Sequence, residues 1–448
     1  MRKGYFMKKA LAIELFLKKN MLHSDEIDTQ VHVQNFMRHM ENGLQGSESS
    51  LAMLPTFVQI GENIPRHENI IVLDAGGTHV RSALIHFDDF GAPVIKHYNS
   101  TNMPGTQGTV SCEEVFDHFV KQIEDIADKS TKIGFCFSFP TEAMPNHDGK
   151  LLFFSKGIDV HGHENMLVGE CLREALKKHG FEKDYDIIIV NDTVTTLLMG
   201  LTVDREKQFS GYLGAILGTG MNIAYAEKNE AITKITPDNP KEKQVINIES
   251  GEFTGYLTGS LEREFNEMMA PKGRFAFEKA MSGAYLGPLA AHVLRAMCKE
   301  NIFSADFAQK LSEISENITT IALCHFMMNP LTDEHVLGKL ALLAGHENAH
   351  EDIEALYYTC ELLIERAAKL FACALSAVLL KSECGLTPLH PACIVIDGTT
   401  FYAVKNFKFL TEYYLKEILR EENLRYYEIA RVESASLLGA AVAALTAF

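Results

Sequence analysis

Residues 71–85 have the sequence IVLDAGGTHVRSALI, in which two apolar, strand-like runs flank a glycine pair. Gly76 and Gly77 permit the backbone conformation of a tight turn and let main-chain N–H groups approach a ligand without a Cβ in the way. The pattern predicts a β-hairpin whose turn grips phosphate. An ordinary hairpin turn is the alternative, because glycine pairs are common turn residues. Matching segments elsewhere in the chain would decide between the two.

Three polar side chains beside this turn favour phosphate. Thr78 adds a hydroxyl donor, and Arg81 offers a rigid positive fork that suits phosphate oxygens. Asp74 supplies a carboxylate that can hold Mg²⁺ directly or through water. The segment therefore contains every group that a phosphate and its metal ion require.

Length and charge narrow the class of protein. The chain has 448 residues, of which 46% are hydrophobic and 23% charged, as in a globular protein with a full core. This length allows two large lobes with a cleft between them. The net charge of −17 argues against a nucleic-acid partner, which would need a basic face. An anionic nucleotide must then be held by local groups.

The cellular location can be predicted from the N-terminus and the cysteines. Glu14, Lys18 and Lys19 interrupt the apolar segment near the N-terminus, which argues against a signal peptide or a membrane span. The nine cysteines include no C-x-x-C pair, as expected of core thiols in a reducing compartment. We therefore expect a cytoplasmic protein.

Strand-like and helix-like segments alternate along the chain, which is typical of α/β layering. The glycine-hydroxyl pattern recurs in Gly218-Thr219-Gly220 and in Asp397-Gly398-Thr399, each after an apolar run. Ligands bind outside such strand ends in open α/β sheets. Two turns from two lobes would clamp one polyphosphate, and the third segment would meet the nucleoside. A simple β-turn is the alternative for Asp397-Gly398-Thr399.

Further segments follow in a defined order. They are Met53-Leu54-Pro55-Thr56-Phe57, Leu73 to Arg81, Phe135 to Pro140 followed by Ser155-Lys156-Gly157, Val190 to Val194, Gly218 to Asn222, Asn247-Ile248-Glu249, and Phe277-Glu278-Lys279 leading to Ser282 through Gly287. In this order they resemble the eukaryotic-type hexokinases of the actin-like ATPase superfamily. The resemblance implies an α/β, two-lobed actin-like ATPase (ribonuclease H-like) fold, with mixed sheets flanked by helices and a ligand cleft between the lobes. We expect a small lobe of residues 68–192 plus 434–448 and a large lobe of residues 1–67 plus 193–433.

Phosphoryl transfer to a hydroxyl needs a positioned acceptor, a base and positive charge near the phosphate. Asp192 follows an apolar, strand-like run, and we predict that it accepts the proton of the attacking sugar hydroxyl. A helix N-cap at Asn191-Asp192-Thr193 is the alternative, since Asn and Asp are favoured there. Arg81 would counter the charge that builds on the transferred group. Lys156 is the third predicted catalytic residue.

The resemblance also implies a hexose site made of hydroxyl, amide and carboxylate groups, which suit a polyhydroxylated ligand. The predicted residues are Ser138, Phe139, Ser155, Lys156, Asn191, Asp192, Asn222, Glu249 and Glu278. For Glu249 and Glu278 the alternative is a solvated surface charge, which is the usual environment of Glu.

ATP and Mg²⁺ are the cofactors that the resemblance implies. The predicted nucleotide-binding residues are Asp74, Gly76, Gly77, Thr78, Arg81, Gly218, Thr219, Gly220, Asp397, Gly398 and Thr399. Asp74 would organise Mg²⁺ through water. The expected partners are the hexose and ATP, without nucleic acid or membrane, for a monomer or homodimer.

The chain departs from the family pattern at several positions. His79 replaces an asparagine, Met221 a threonine and Ser250 a tryptophan, while Thr195 stands where a glycine is usual. The family segment Asp-Gly-Ser-Gly-Lys-Gly is changed to Glu433-Ser434-Ala435-Ser436-Leu437-Leu438-Gly439 here. We expect the changed segment to affect nucleotide affinity and base preference, and Thr195 to affect hexose choice.

The sequence thus predicts an ATP:D-hexose 6-phosphotransferase that acts on glucose or a close analogue, gives hexose 6-phosphate and ADP, and performs the first step of glycolysis. One alternative is a hexokinase-like sugar sensor or regulatory protein that binds sugar without useful turnover, because the changed segment lies near the nucleotide. Another is an actin-like ATPase or assembly protein, which the phosphate turns alone would suit.

Overall fold

The fold contains two large β-sheets whose strands are connected in the same way. The computed structural model describes residues 2–61, 64–154, 158–163, 165–204, 206–236, 239–314, 316, 318–332, 334–342 and 349–448. Ser155 and Lys156, both predicted to bind sugar, lie outside these residues, so their roles stay predictions.

Helices and strands alternate through most of the described chain, as predicted. The elements of the first half are α1 (Arg2–Lys19), α2 (Thr29–Gln45), β1 (Leu54–Gln59), β2 (Ile70–Ala75), β3 (His79–Phe87), β4 (Pro93–Asn102), β5 (Val110–Ser111), α3 (Cys112–Ile123), β6 (Lys132–Phe137), β7 (Thr141–Ala143), β8 (Gly149–Leu151), β9 (Val160–His161), α4 (Val168–Lys178), β10 (Asp186–Val190) and α5 (Asp192–Leu198). None of the helices in the described ranges is long and apolar enough to span a bilayer.

The second half begins with three strands, continues with a mainly helical region and returns to two further strands. Its elements are β11 (Gly211–Leu217), β12 (Met221–Lys228), β13 (Lys243–Asn247), α6 (Ser260–Met268), α7 (Ala276–Lys279), α8 (Leu286–Lys299), α9 (Ala305–Ile314), α10 (Thr320–Met328), α11 (Val336–Leu342), α12 (Ala349–Lys381), β14 (Ala392–Asp397), α13 (Thr399–Ala403), α14 (Phe407–Ile418), β15 (Tyr427–Ala430) and α15 (Ala435–Ala447). The apolar run before Gly398 forms β14, as its sequence pattern indicates.

The two large sheets are mixed, as expected. The first sheet has the order β10-β6-β2-β3-β4, in which β10, β6 and β2 are parallel while β3 and β4 are antiparallel to their neighbours. The second sheet has the order β15-β14-β11-β12-β13-β1, with β15, β14 and β11 parallel and the rest antiparallel. Each sheet therefore combines a parallel half with a hairpin, and the predicted lobe boundaries stay a prediction.

This topology brings the predicted segments to the sheet edges. The turn after β2, Ser138 after β6 and Asn191 after β10 all follow the carboxyl ends of parallel strands, so they lie at one edge of the first sheet. The turn after β11 and Asp397 at the end of β14 share the corresponding edge of the second sheet. Ligand-binding residues commonly collect at such edges.

Two helices join the sheets. The helix α15 packs on β2, β6 and β10 of the first sheet, whereas α5 packs on β11 and β12 of the second, and the two helices contact each other. The two helices cross so closely that a Cβ on Gly439 of α15 would lie 2.2 Å from the carbonyl oxygen of Thr195 in α5. Because α5 begins at Asp192, this packing holds the predicted base between the two sheets.

Candidate active site

The first predicted phosphate turn forms as expected. The N–H of Gly76 donates to the carbonyl oxygen of His79 over 3.0 Å, which closes the turn between β2 and β3. Thr78 is exposed, and its Oγ1 lies 2.9 Å from Nδ1 of His79. The hydroxyl is therefore accessible to a ligand at the end of the hairpin.

Asp74 is a buried carboxylate with polar neighbours on both sides. Its Oδ2 accepts a hydrogen bond from Ser436 Oγ at 2.8 Å and lies 3.4 Å from Nη1 of Arg81. Burial raises the pKa of the Asp74 carboxyl above its usual value, while the Ser436 hydrogen bond and the Arg81 charge oppose this rise. The oxygen ligand suits Mg²⁺, so the structure is compatible with the predicted metal role.

Asp192 lies within electrostatic range of two other carboxylates. Burial is the main cause of the raised pKa values of Asp74 and Glu249, and the negative charge of Asp192 contributes to both. Asn191 caps α5, because its side chain accepts a hydrogen bond from the N–H of Thr193 at 2.9 Å. The capping interpretation thus holds for Asn191, and Asp192 itself is partly exposed.

The second predicted phosphate turn is held by the residues around it. The N–H of Gly218 donates to the carbonyl oxygen of Gly220 over 3.0 Å. The Gly218 carbonyl accepts from the N–H of Gly283 at 2.7 Å and from Thr400 Oγ1 at 2.8 Å, and the Thr219 carbonyl accepts from the N–H of Ala284 at 3.0 Å. This turn has little freedom to move.

The third glycine segment packs directly against the second turn. Gly398 has a φ of +115°, and a Cβ at this position would lie 2.3 Å from the carbonyl carbon of Leu217. Asp397 Oδ1 accepts the N–H of Gly398 at 2.7 Å, and α13 begins at Thr399. The segment is thus a strand-to-helix connection, and the alternative of a simple β-turn is wrong.

A network of amides and a carboxylate forms the predicted sugar edge. Asn247 Nδ2 donates to Glu249 Oε1 at 2.7 Å, and Asn222 Nδ2 lies 2.6 Å from Asn247 Oδ1 and 3.3 Å from Glu249 Oε1. Glu249 has a φ of +59°, a conformation that is costly for a residue other than glycine and often occurs at functional sites. The solvated-charge alternative for Glu249 is therefore wrong.

Glu278 approaches the same region from α7. Its Oε2 accepts the N–H of Met221 at 2.9 Å. A Cβ on Gly220 would lie 2.6 Å from this oxygen, so a larger residue at 220 would displace the Glu278 carboxylate. Glu278 thus connects the second predicted phosphate turn to the predicted sugar edge, and it is not a solvated surface charge.

Two predicted sugar-binding residues, Ser138 and Phe139, follow β6 and differ in their surroundings. Ser138 is buried, and its Oγ lies 3.8 Å from Sγ of Cys136. The ring of Phe139 packs against Phe137 and Phe154 with centroid distances of 4.9 and 5.2 Å. The aromatic side chain of Phe139 is thus part of the core, and its contact with sugar stays a prediction.

Sequence reasoning missed three residues at this site. Asn247 orients Glu249, and Ser436 binds Asp74 from the C-terminal helix. Burial raises the pKa of the Cys136 thiol well above its usual value, and the charges of Asp74 and Asp192 add to the effect. The segment Asn247-Ile248-Glu249 could have indicated Asn247, but no local pattern links residue 436 to residue 74.

Comparison with known proteins identifies the family. Two hexokinase family models match the chain, one over residues 12–201 and the other over residues 212–446. The chain belongs to the hexokinase family. Mouse Hexokinase-3 is 27% identical over 419 residues, and horse Hexokinase-2 is 29% identical over 405 residues. The matches cover 89% and 85% of this chain but 44% and 42% of those proteins, so the chain spans about half the length of the curated relatives it matches.

Solved hexokinase structures confirm the fold. The hexokinase of Schistosoma mansoni, in complex with glucose, superposes with a TM-score of 0.76 at 22% identity and covers 98% of this chain and 99% of that one. A second hexokinase crystal structure has a TM-score of 0.76 at 20% identity, with coverage of 99% and 100%. The protein has the two-lobed α/β fold of these hexokinases.

Two departures from the hexokinase pattern can be placed structurally. Thr195 Oγ1 donates to the carbonyl oxygen of Asp192 at 2.7 Å, and the close helix crossing at this point depends on Gly439. In the changed C-terminal segment, Ser434 has a φ of +55° and precedes α15, which directs Ser436 to Asp74. The changed segment thus contacts Asp74, on the predicted phosphate side of the site, directly.

Proposed function

We propose that the chain transfers the γ-phosphoryl group of ATP to the 6-hydroxyl of a hexose, glucose or a close analogue, giving hexose 6-phosphate and ADP. This would be the first step of glycolysis. The observation that carries the proposal is the position of Asp192. It follows the carboxyl end of β10, at the sheet edge that also holds the turn after β2, and it begins α5, which packs on β11 and β12 next to the second turn. The charge of Asp192 also acts on the carboxyl groups of Asp74 and Glu249. A base that links donor and acceptor sites must occupy such a position.

Asp192 would act on the 6-hydroxyl. Its carboxylate takes the hydroxyl proton while the sugar oxygen forms a bond to the γ-phosphorus. The bond between that phosphorus and the bridging oxygen breaks, and ADP leaves. The partial exposure of Asp192 at the start of α5 is compatible with this role, since a base must reach its substrate.

The sugar would lie along Asn222, Glu249 and Glu278, with Ser138 from the first sheet. The amide and carboxylate network around Glu249 is already oriented by Asn247, so little ordering is needed when a sugar binds. Hydrogen-bonding groups of this kind match adjacent hydroxyls. The polar network therefore supports a polyhydroxylated substrate.

The phosphates would bind at the two glycine turns. Thr78 and Thr219 offer donors, and Arg81 would counter the charge that develops during transfer. Among the described residues, no group of three or more His, Cys, Asp or Glu side chains is arranged to hold a metal ion. Asp74 would hold Mg²⁺ through water. When bound, Mg²⁺ neutralises charge on the phosphates.

The test is an assay of the purified chain with Mg²⁺, ATP and separate hexoses: glucose, mannose, fructose and N-acetylglucosamine. We expect ADP release that requires a sugar, together with formation of its 6-phosphate. Absence of phosphorylation for every sugar would overturn the proposal. Thermal stabilisation by hexose without ADP release would instead favour the sugar sensor, whereas stabilisation by ATP alone would favour an ATPase.

A further inference from the structure

Two positions at which the chain departs from the hexokinase pattern are in contact. Met221 begins β12, and Ser250 directly follows Glu249. The Oγ of Ser250 lies 3.3 Å from the Sδ of Met221, and the two side chains are 0% and 4% exposed, respectively. The two changes from the family pattern therefore form one buried pair.

Both members of this pair contact predicted sugar-binding groups. The N–H of Met221 donates to Glu278 Oε2 at 2.9 Å. The N–H of Ser250 donates to Asn222 Oδ1 at 3.1 Å, and the Ser250 hydroxyl lies 3.4 Å from the same oxygen. The pair thus connects the amide of Asn222 with the carboxylate of Glu278.

These contacts orient the Asn222 amide. Its Oδ1 accepts the N–H groups of Ile223 at 2.8 Å and Ser250 at 3.1 Å, which leaves Nδ2 directed to Asn247 and Glu249. The Ser250 hydroxyl has one proton and two acceptors within reach, the Met221 sulfur and Asn222 Oδ1. A change at Met221 therefore alters the hydrogen bonding of Asn222 through Ser250.

The surrounding backbone leaves little room for adjustment. A Cβ on Gly251 would lie 3.1 Å from the Cβ of Glu278 and 3.3 Å from the carbonyl oxygen of Met221. Close-packed groups transmit displacement to their neighbours. A shift of Met221 or Ser250 would thus reach Glu278 as well as Asn222.

We propose that Met221 and Ser250 act together as positioning residues that set the selectivity of the sugar site among hexoses. This inference rests on the proposed function. A site built to hydrogen-bond a hydroxyl discriminates strongly against an analogue that lacks it, because its buried polar groups lose their partners. Reorienting Asn222 or Glu278 therefore changes the ranking of sugars. ATP binding should change little, because the turn at 218–220 keeps its own hydrogen bonds to Gly283, Ala284 and Thr400.

The test uses Ser250→Ala, Met221→Leu and the double variant. For each, kcat and KM are measured with glucose, mannose, fructose and 2-deoxyglucose, and KM is measured for ATP. We expect each single variant to change the kcat/KM ratio between at least two sugars by roughly twofold to tenfold, the range of one hydrogen bond. KM for ATP stays within about twofold, and the double variant changes the ratios no more than the larger single change, because the two positions are coupled.

Matched controls lie elsewhere in the core. Met297→Leu replaces a buried methionine whose Sδ lies 3.9 Å from Thr359 Oγ1. Ser376→Ala replaces a buried serine whose Oγ has no hydrogen-bond partner among the described residues. Neither control should change the sugar ratios.

Three results would each overturn the proposed role of Met221 and Ser250. The sugar ratios could stay unchanged in the single variants, or they could change equally in the controls. The effects of the two single variants could also simply multiply in the double variant. A wild-type chain that phosphorylates no hexose would overturn the proposed function instead. In that case calorimetry measures the dissociation constants of the sugars. Their ratios then test the proposed role of Met221 and Ser250 in place of the kcat/KM ratios. A wild-type chain that binds none of the four sugars overturns both.

Discussion

The two sheets share one topology, but their equivalent turns are held in different ways. The turn after β2 is closed by its own Gly76–His79 hydrogen bond, and one further bond reaches it, from the N–H of Met103 to the Thr78 carbonyl at 2.9 Å. The turn after β11 accepts three bonds from outside, from Gly283 and Thr400 at the Gly218 carbonyl and from Ala284 at the Thr219 carbonyl. The second turn is therefore held more tightly than the first.

The strand positions next to the turns differ in charge. Asp74 of β2 pairs with Arg81 of β3, whereas at the corresponding place in the second sheet Ile216 of β11 pairs with Asn222 of β12. The first sheet thus places charged groups beside its turn, and the second places an amide there. The same topology can therefore place a charged pair beside one turn and an amide beside the other.

The largest expected effect concerns Asp192, which lies between the halves. Asp192→Asn keeps the size of the side chain but removes its basicity, so kcat should fall by roughly 10²- to 10⁴-fold. The hexose KM should change little. Steady-state kinetics measure both, with Asp186→Asn at the exposed start of β10 as the control. Turnover equal to wild type would reject the assignment of the base.

The rigidity of the second turn can be tested with glycine substitutions. Gly398→Ala introduces a Cβ 2.3 Å from the Leu217 carbonyl carbon at a φ of +115°, and should destabilise the protein by about 2–4 kcal/mol. Gly76→Ala meets its nearest atom at 3.9 Å, and should cost less than about 1 kcal/mol. Thermal unfolding compares the two. Equal shifts in Tm would contradict the difference between the turns.

A pH effect is expected in the apolar core that packs against the second sheet. His32 of α2 packs against the rings of Phe253, Tyr256 and Phe277, and its Nε2 has no hydrogen-bond partner among the described residues. Burial, with a smaller effect of the Arg366 charge, lowers its pKa from 6.5 to about 4. The unfolded chain therefore binds this proton first, and the stability present above pH 6.5 is lost as the pH falls towards 4.

By pH 5 the loss attributable to His32 should be on the order of 2 kcal/mol. His32→Phe should remove this part of the pH dependence, as measured by chemical unfolding at pH 7 and pH 5. The exposed His161→Gln serves as the control. An identical acid-induced loss in wild type and His32→Phe would contradict the assignment.

The smallest expected effect concerns two hydroxyl groups that donate hydrogen bonds beside the turns. Ser436 donates to Asp74 in the first sheet, and Thr400 donates to the Gly218 carbonyl in the second. Ser436→Ala removes the donor to Asp74, and should weaken Mg²⁺-dependent ATP binding by roughly fivefold, as expected for one hydrogen bond. Ser436→Thr should restore most of it. Calorimetric titration of ATP at several Mg²⁺ concentrations measures the effect.

The matched change in the second half is Thr400→Val, which removes the donor to the Gly218 carbonyl. We expect a lower Tm but an unchanged dependence on Mg²⁺. If the two variants altered the Mg²⁺ dependence of ATP binding equally, the distinction between a charged first turn and a rigid second turn would be wrong.

Much of the site could be predicted from the sequence, because its signals are local. Glycine pairs next to apolar runs predicted the turns at 76–78 and 218–220, and the apolar run before Asn191 placed Asp192 at a strand end. The position of Glu249 beside Asn222 followed only from the family resemblance. Its positive φ and its amide partners could not be predicted, since they depend on how β12 and β13 pair.

The sequence by itself determined the strands, the turns and the chemical groups at their ends, because hydrophobic periodicity and glycine placement act over a few residues. Only the tertiary structure decided three contacts: Ser436 donates to Asp74, Gly439 packs closely against Thr195, and Ser250 contacts Met221. These contacts join residues far apart in the chain. They form because burying the apolar helices and strands against one another determines which side chains become neighbours.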